Sequence, residues 1–366
     1  MIRVLHIVGS LGHAGLEAVV MNYYRNIDAN KFQFDFVVGS PSKQKYDDEI
    51  LARGGHIYRI QHRTRHPFKY AYSLYRLVKK NRYQIIHIHQ NSASMVLEAL
   101  VARLCGLKII IGHSHNTSCQ VLWQHYILKP FVNLLVTDRF ACSREAGNWV
   151  FGKRNDITIL FNAIDFERFC FNSETRFLYR TQLGLDPYTV IGFVGRLEDV
   201  KNPIRLFEIF QVICRSLPDS KLLIVGDGEL RPQLEHMAKS FGIEKQVIFT
   251  GKRNDIPQLL CSMDAFVMPS KHEGLSVAMV EAQASGLPCI LSSNIPFVDI
   301  THNIYPISLD SSNDTWANTI ISAIKTSHRL VDKKEFVSSG YSIDIESQKL
   351  VQFYTNRLLE QRHNTG

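Results

Sequence analysis

Seven cysteines are scattered along 366 residues, an odd number with no C-x-x-C pair. A disulfide scaffold and a thiolate zinc site are therefore excluded, and Cys105, Cys142, Cys214, Cys261 and Cys289, set among apolar neighbours, read as buried reduced thiols. No apolar run approaches the roughly 18 residues of a membrane span, and the N-terminus reads as a strand, Val4 to Val8, entering a glycine loop instead of a signal peptide. We expect a protein made and kept in the cytosol. Internal repeats and low-complexity tracts are also missing. So is D-x-D, which would hold a divalent metal under a diphosphate. The cluster Asp47-Asp48-Glu49 sits at a helix start, where the dipole favours acids anyway. No metal and no cofactor are expected.

Acidic residues are sparse in one half. Residues 1–165 carry 21 Lys and Arg against 11 Asp and Glu, and the remainder 21 against 23. No acid lies between Glu49 and Glu98, a stretch holding Arg53, Arg59, Arg63, Arg65, Lys69, Arg76, Lys79, Lys80 and Arg82 together with Phe68, Tyr70, Tyr72 and Tyr75. Two readings stand: a solvated helix with its tyrosines packed inward, or a face drawn to an anionic leaflet or a pyrophosphate-bearing acceptor. Nucleic acid is not expected, because no nucleic-acid motif accompanies the charge.

Short Ile- and Val-rich strands alternate with helical patterns, which implies parallel pairing through helical crossovers and sheets covered on both faces. Seven strands lie between Val4 and Leu160, and the pattern restarts with six more from Val190 to Ile307. The fold class is α/β with two Rossmann-like domains, residues 1–165 and 166–344, hinged after Asn162-Ala163-Ile164-Asp165 with a polar connection to about Gly184. A last amphipathic helix near 345–361, within a 345–366 tail that packs back on the first domain, puts Leu350, Val351, Tyr354 and Leu358 on one stripe.

Candidate sites fall at strand ends. Met268 to Leu291 reads as strand, loop, helix, turn and strand, with Ser276 as N-cap of a helix of about nine residues stopping at Gly286. Glu273 and Glu281 stand eight apart, about 80° out of phase on one helix, so Glu273 belongs to the loop and Glu281 to the helix after it. Both would then face the crevice at the carboxyl end of a parallel sheet. Gly195 and Arg196, followed by Lys201 in the loop after an earlier strand, could clamp a diphosphate beside the free N–H groups of the Ser276 helix. In the N-terminal half, Gly9-Ser-Leu-Gly12-His-Ala-Gly15 opens a helix, but the spacing is G-x-x-G-x-x-G and no acid ends the second strand, so it reads as a glycine wall beside a ligand and not as an NAD site. His87 and His89 end one strand, and His113 and His115 the next. No acid or cysteine at ligand spacing accompanies them, so polar lining of a cleft is preferred to a metal site.

These residues together resemble the retaining GT-B glycosyltransferases of family 4. The resemblance rests on Glu273-Gly-Leu-Ser-Val-Ala-Met-Val-Glu281 with Ala282, Ala284, Gly286 and Pro288, on Gly195-Arg196 with Lys201, on the glycine loop, on Asn162-Ala-Ile-Asp165, where Ala163 replaces the more usual Gly, and on Pro269-Ser270. Gln90-Asn91-Ser92 and His113-Ser114-His115-Asn116 look like the branch that builds bacterial capsular or exopolysaccharide. The resemblance implies two sheets facing across a cleft, an N-terminal acceptor domain and a C-terminal donor domain. The implied partners are a nucleotide-diphosphate sugar, with uridine as base, a saccharide acceptor linked to a lipid pyrophosphate, and the inner face of the plasma membrane. Arg196 and Lys201 would bind the diphosphate, Glu281 the ribose and Glu273 the sugar. Gly274, Leu275 and Ser276 would line the donor, with Gly12, Gly15 and Gly195 close to it. Arg253 would sit near the base, and His113 or His115 near the reacting carbon. The alternatives are an epimerase or hydrolase of nucleotide sugars on the same fold, and a non-catalytic nucleotide-sugar-binding component of a membrane assembly.

Overall fold

A computed structural model describes residues 1–12, 15–61, 63–119 and 121–363. The chain forms two compact units, Met1–Ala163 with Ile343–Gly366, and Ile164–Ser342. The first unit holds β1 (Ile2–Ile7), β2 (Phe32–Val38), β3 (Ile57–Arg59), β4 (Ile85–His89), β5 (Ile109–Ser114), β6 (Asp138–Ala141) and β7 (Ile157–Ile159) in the order β3-β2-β1-β4-β5-β6-β7. The second holds β8 (Thr189–Val194), β9 (Ser220–Val225), β10 (Val247–Gly251), β11 (Ala265–Met268), β12 (Cys289–Ser292) and β13 (Ile304–Ile307) in the order β10-β9-β8-β11-β12-β13. All the pairings are parallel. Each sheet therefore has one point where the winding reverses, between β1 and β4 and between β8 and β11. Ligands of doubly wound sheets bind just beyond the strand ends at such points.

Strand alternation sorts the first sheet's side chains. Leu5, Ile7, Ile86, Ile88 and Ile110 point to one face, into a core closed by helices Pro67–Asn81, Val96–Leu104 and Arg144–Phe151. His6, Phe34, Phe36, His87 and His113 point to the other, against helix Ile343–His363, whose Tyr354 packs on Phe32 and Phe34. In the second unit Ile191, Phe193, Ile224 and Val267 meet Leu206, Phe207, Phe210, Leu234 and Trp316 from the covering helices.

The structure sharpens two of these readings. The polar connection to Gly184 is helical, Phe166–Phe169 and then Ser173–Leu183. Its polarity has a use: Arg176 and Arg180 both pair with Asp264, at 2.6 and 3.2 Å, which pins the second helix to the start of β11. The tyrosines of helix Pro67–Asn81 do not all turn inward. Tyr70 is buried, whereas Phe68, Tyr72 and Tyr75 are exposed.

Candidate active site

At the β8/β11 reversal, the loop leaving β8 carries Gly195 and Arg196 and closes in a 3-10 turn, Asp199–Lys201. The loop leaving β11 carries Glu273, Gly274 and Leu275 and leads to helix Val277–Ala284. The two loops are joined by backbone and by charge. Lys271 N donates to Val200 O at 2.9 Å, the Lys271 ammonium meets Asp199 at 2.7 Å, and the Lys201 ammonium donates to Glu273 Oε1. Lys201 and Glu273 are mostly buried, so their contact is shielded from water in a way a surface pair is not. Arg196 is more than half exposed and reaches Glu198 at 2.5 Å. Its guanidinium is thus at the same strand ends as Lys201 but outside the Lys201–Glu273 contact.

Ser276 occupies the N-cap position, but its side chain makes no capping bond and is buried. The leading N–H groups of Val277–Ala284 consequently lack that side-chain acceptor. Glu281, one turn further on, is buried within the same helix. Arg253 stands apart. It follows β10, two strands from β8, and its Nε and Nη2 donate to Asp255, at 2.8 and 2.5 Å. That guanidinium is the main reason the Asp255 carboxyl lies at about 2.

A third loop supports the first two. Gly226, at φ 138°, and Gly228 pass so close to the β8 loop that a Cβ would fall 1.8 Å from Gly195 O and 2.4 Å from Leu197 O. Leu197 N donates to Asp227 O at 3.1 Å, and Leu230 N to Leu197 O at 3.0 Å. The sequence Gly226-Asp227-Gly228 reads most simply as a turn; its glycines in fact let two backbones touch beneath Arg196.

In the first unit, Gly9 O accepts from Gly39 N at 3.2 Å and Leu11 N donates to Gln44 Oε1 at 2.7 Å. A Cβ on Gly12 would meet only ordinary contacts, so the protein's own packing does not demand glycine there. Gly15 opens helix Gly15–Asn26, while His13 and Ala14 lie outside the described residues. A 340 Å³ cavity lies along these strand ends, lined by Gly9, Gly39, Arg63, Arg65, Tyr70 and Gln90 among others. A larger hollow, 480 Å³, sits by Asp28 and Lys31 at the amino end of β2, the wrong edge for strand-end chemistry.

His87, His89, His113 and His115 are buried, and they are joined by a fifth, His6, that the motif pattern did not single out. Register is the cause: His6 lies beside His87, and His89 beside His113. A signal existed, since His6 is the one polar residue inside the apolar run Val4–Val8 of the central strand. Burial pushes His6 and His115 down to about 3, the Asn162 amide partly opposing this at His115. His87, His89 and His113 are held well below the ordinary histidine range by burial and by their imidazole neighbours. The cluster is neutral at physiological pH. Two trios, His6, His87 and His89, and His89, His113 and His115, bring one ring nitrogen each within 4.8 Å. Such a donor set suits a late transition ion.

Comparison with known proteins gives this geometry a family. Residues 13–168 match the pattern described as Glycosyltransferase Family 4, and residues 176–334 that of Glycosyl transferases group 1. EpsF of Bacillus subtilis (strain 168), a protein named for glycosyltransferase activity, is 32% identical over 382 residues, spanning 99% of this chain and 98% of its own. The chain belongs to this glycosyltransferase family. The UDP-Gal:alpha-D-GlcNAc-diphosphoundecaprenol alpha-1,3-galactosyltransferase of Escherichia coli is 33% identical over 235 residues, 60% of each chain. Among solved structures, Anabaena HepE in complex with UDP and glucose superposes with a TM-score of 0.78 over 97% of this glycosyltransferase and all of HepE, at 16% identity. The two parallel-sheet halves are those of the GT-B glycosyltransferases.

Proposed function

We propose that this glycosyltransferase moves a sugar, with retention, from a UDP-sugar to a saccharide carried on a lipid pyrophosphate during bacterial surface polysaccharide synthesis, and that it does so without a metal. The observation that carries the reading is the Lys201–Glu273 contact at the β8/β11 reversal, beside a helix start that lacks a side-chain cap. Arg196, Lys201 and the first N–H groups of Val277–Ala284 supply positive charge where a departing diphosphate would gather negative charge, which is where an enzyme gains most by preorganised electrostatics. Glu273 and Glu281 serve the sugar and ribose hydroxyls, and Gly274, Leu275 and Ser276 line the donor. By resemblance, Gly12, Gly15 and Gly195 are assigned to backbone contacts with the donor and Arg253 to the base. The names of the relatives support a uridine donor and a lipid diphosphate acceptor: one uses UDP-Gal on a diphosphoundecaprenol saccharide, and another was solved with UDP.

Retention is what the family resemblance implies. Glu273 is engaged by Lys201, so it is a poor covalent nucleophile, and within a retaining path a front-face displacement, in which the leaving phosphate oxygen takes the acceptor proton, is preferred to a covalent intermediate. The resemblance assigns the role at the reacting carbon to His113 or His115, with residues 1–165 as the acceptor domain and 166–344 as the donor domain.

Peripheral binding at the inner face of the plasma membrane is supported by an outward face of the first unit. Helices Pro67–Asn81, Val96–Leu104 and Leu122–Leu135 pack side by side. They expose Phe68 and Tyr72, then Leu104, then Trp123, Tyr126 and Ile127, with Lys69, Arg76, Lys79 and Lys80 on the first helix. Their one acid, Glu98, is buried and held by Arg63. An apolar face flanked by unopposed cations suits an anionic bilayer, whereas two copies of it would set like charge against like.

The test is nucleoside diphosphate release across a donor panel, with and without a lipid-pyrophosphate saccharide, the product's anomeric configuration being read by NMR. Acceptor-dependent release with retention is expected. Donor conversion without acceptor would favour the epimerase or hydrolase alternative, and donor binding without any turnover the non-catalytic one.

A further inference from the structure

Six buried side chains in the first unit form two hydrogen-bonded files. One runs from His6 Nδ1 to His89 Nε2 at 2.9 Å and from His89 Nδ1 to His115 Nε2 at 2.9 Å. The other joins the Tyr354 hydroxyl to His87 Nδ1 at 2.7 Å, and His87 Nε2 to His113 Nδ1 at 3.1 Å. Bonded rings stand 5.2 Å apart, tilted by 17°, 29° and 23°, so they meet edge to edge. Across the files the rings lie face to face: His87 on His89 at 4.4 Å and His113 on His115 at 3.9 Å. A metal would have to break these bonds, because both nitrogens of His87 and of His89 are already used within the files.

A neutral imidazole has one N–H and one lone pair, so each file must be polarised from end to end. The Tyr354 file holds three hydrogens and two hydrogen bonds, which leaves one hydrogen at an end. Were it left on Tyr354, it would be sealed in. That hydroxyl is fully buried over Phe32 and Phe34, and among the described residues His87 is its one hydrogen-bond partner. Were it left on His113, it would sit on Nε2, which is buried too and has no partner among the described residues, but which belongs to the carboxyl end of β5. A buried donor without an acceptor is costly at either end, and of the two only the strand end is where a doubly wound sheet brings a ligand oxygen.

We propose that Tyr354 is a positioning residue: it donates to His87, which donates to His113, and so fixes His113 as the tautomer that presents its Nε2 hydrogen to a substrate hydroxyl. The residue lies 241 positions beyond His113 in the sequence, on the terminal helix. Its proposed effect on turnover rests on the transferase reading; its effect on the tautomer does not.

The full chain labelled with nitrogen-15 histidine, read by long-range proton–nitrogen NMR and assigned by the signal lost in His113→Gln, tests this. The wild type is expected to show His113 protonated at Nε2. Tyr354→Phe keeps the ring and removes the hydroxyl hydrogen, and should yield a tautomer mixture at His113. It should also lower kcat about tenfold, with donor KM and melting temperature little changed. His113 protonated at Nδ1 in the wild type would overturn the proposal without any variant. So would an unaltered His113 tautomer in Tyr354→Phe, or zinc uptake that abolishes both files. If the wild type turns over no donor, the transferase reading fails while the tautomer spectrum still decides the role of Tyr354.

Discussion

Lys201 and Glu273 illustrate what a single contact does at a strand end. Each is less than one fifth exposed, so removing either leaves the other charge poorly solvated. Glu273→Gln keeps the shape and removes the charge; turnover should fall at least about tenfold, with a stability loss of about 1–3 kcal/mol from the unpaired ammonium. Steady-state kinetics and urea titration check the two parts separately. The histidines make a different prediction. His6 and His115 titrate near 3 in the folded chain against an ordinary 6.5, so the unfolded chain binds protons that the folded one refuses. Their contribution is whole above pH 6.5 and is lost as pH falls from 6.5 toward 3, at up to about 1.4 kcal/mol per pH unit for each. Urea unfolding at pH 7.5 and 5.5 should show the first unit markedly weaker at the lower pH; equal midpoints would contradict neutral burial.

At the level of elements, the β8 loop is held from below by a second loop, and Gly226 is where they touch. Gly226→Ala would place a methyl 1.8 Å from Gly195 O at a φ of 138°, which side chains rarely adopt. It should cost at least about 2 kcal/mol and raise the donor KM by loosening the Arg196 loop, as thermal unfolding and donor titration would show. Helix Leu122–Leu135 makes its prediction from the opposite circumstance, a face with nothing on it. Trp123 is 69% exposed, whereas Trp316 is fully buried. Vesicles containing phosphatidylglycerol should shift the fluorescence to the blue, and Trp123→Ser with Ile127→Ser should weaken sedimentation with them while leaving transfer to a water-soluble acceptor intact. Undiminished sedimentation of that double variant would remove the helix from the membrane reading.

Taken whole, the molecule was most legible where chemistry is local. The alternation of apolar strands with helical patterns carries the two parallel sheets, and Glu273 in a loop with Glu281 on the following helix comes from eight residues of spacing. What depends on register or on distant packing was not legible. His6 joins its cluster only because β1 lies beside β4, and Tyr354 reaches His87 across 267 residues. Helix Ser173–Leu183 was hidden by the polarity that lets Arg176 and Arg180 hold Asp264. Which way the aromatics of Pro67–Asn81 turn was left open between two readings, because sequence alone does not say which side of a helix is covered. If the β8/β11 reversal bears the departing diphosphate, acceptor-dependent UDP release should differ sharply between wild type and Lys201→Ala. A fall of at least about a hundredfold with unchanged circular dichroism is expected; near-normal release by the variant would mean that the diphosphate leaves from elsewhere.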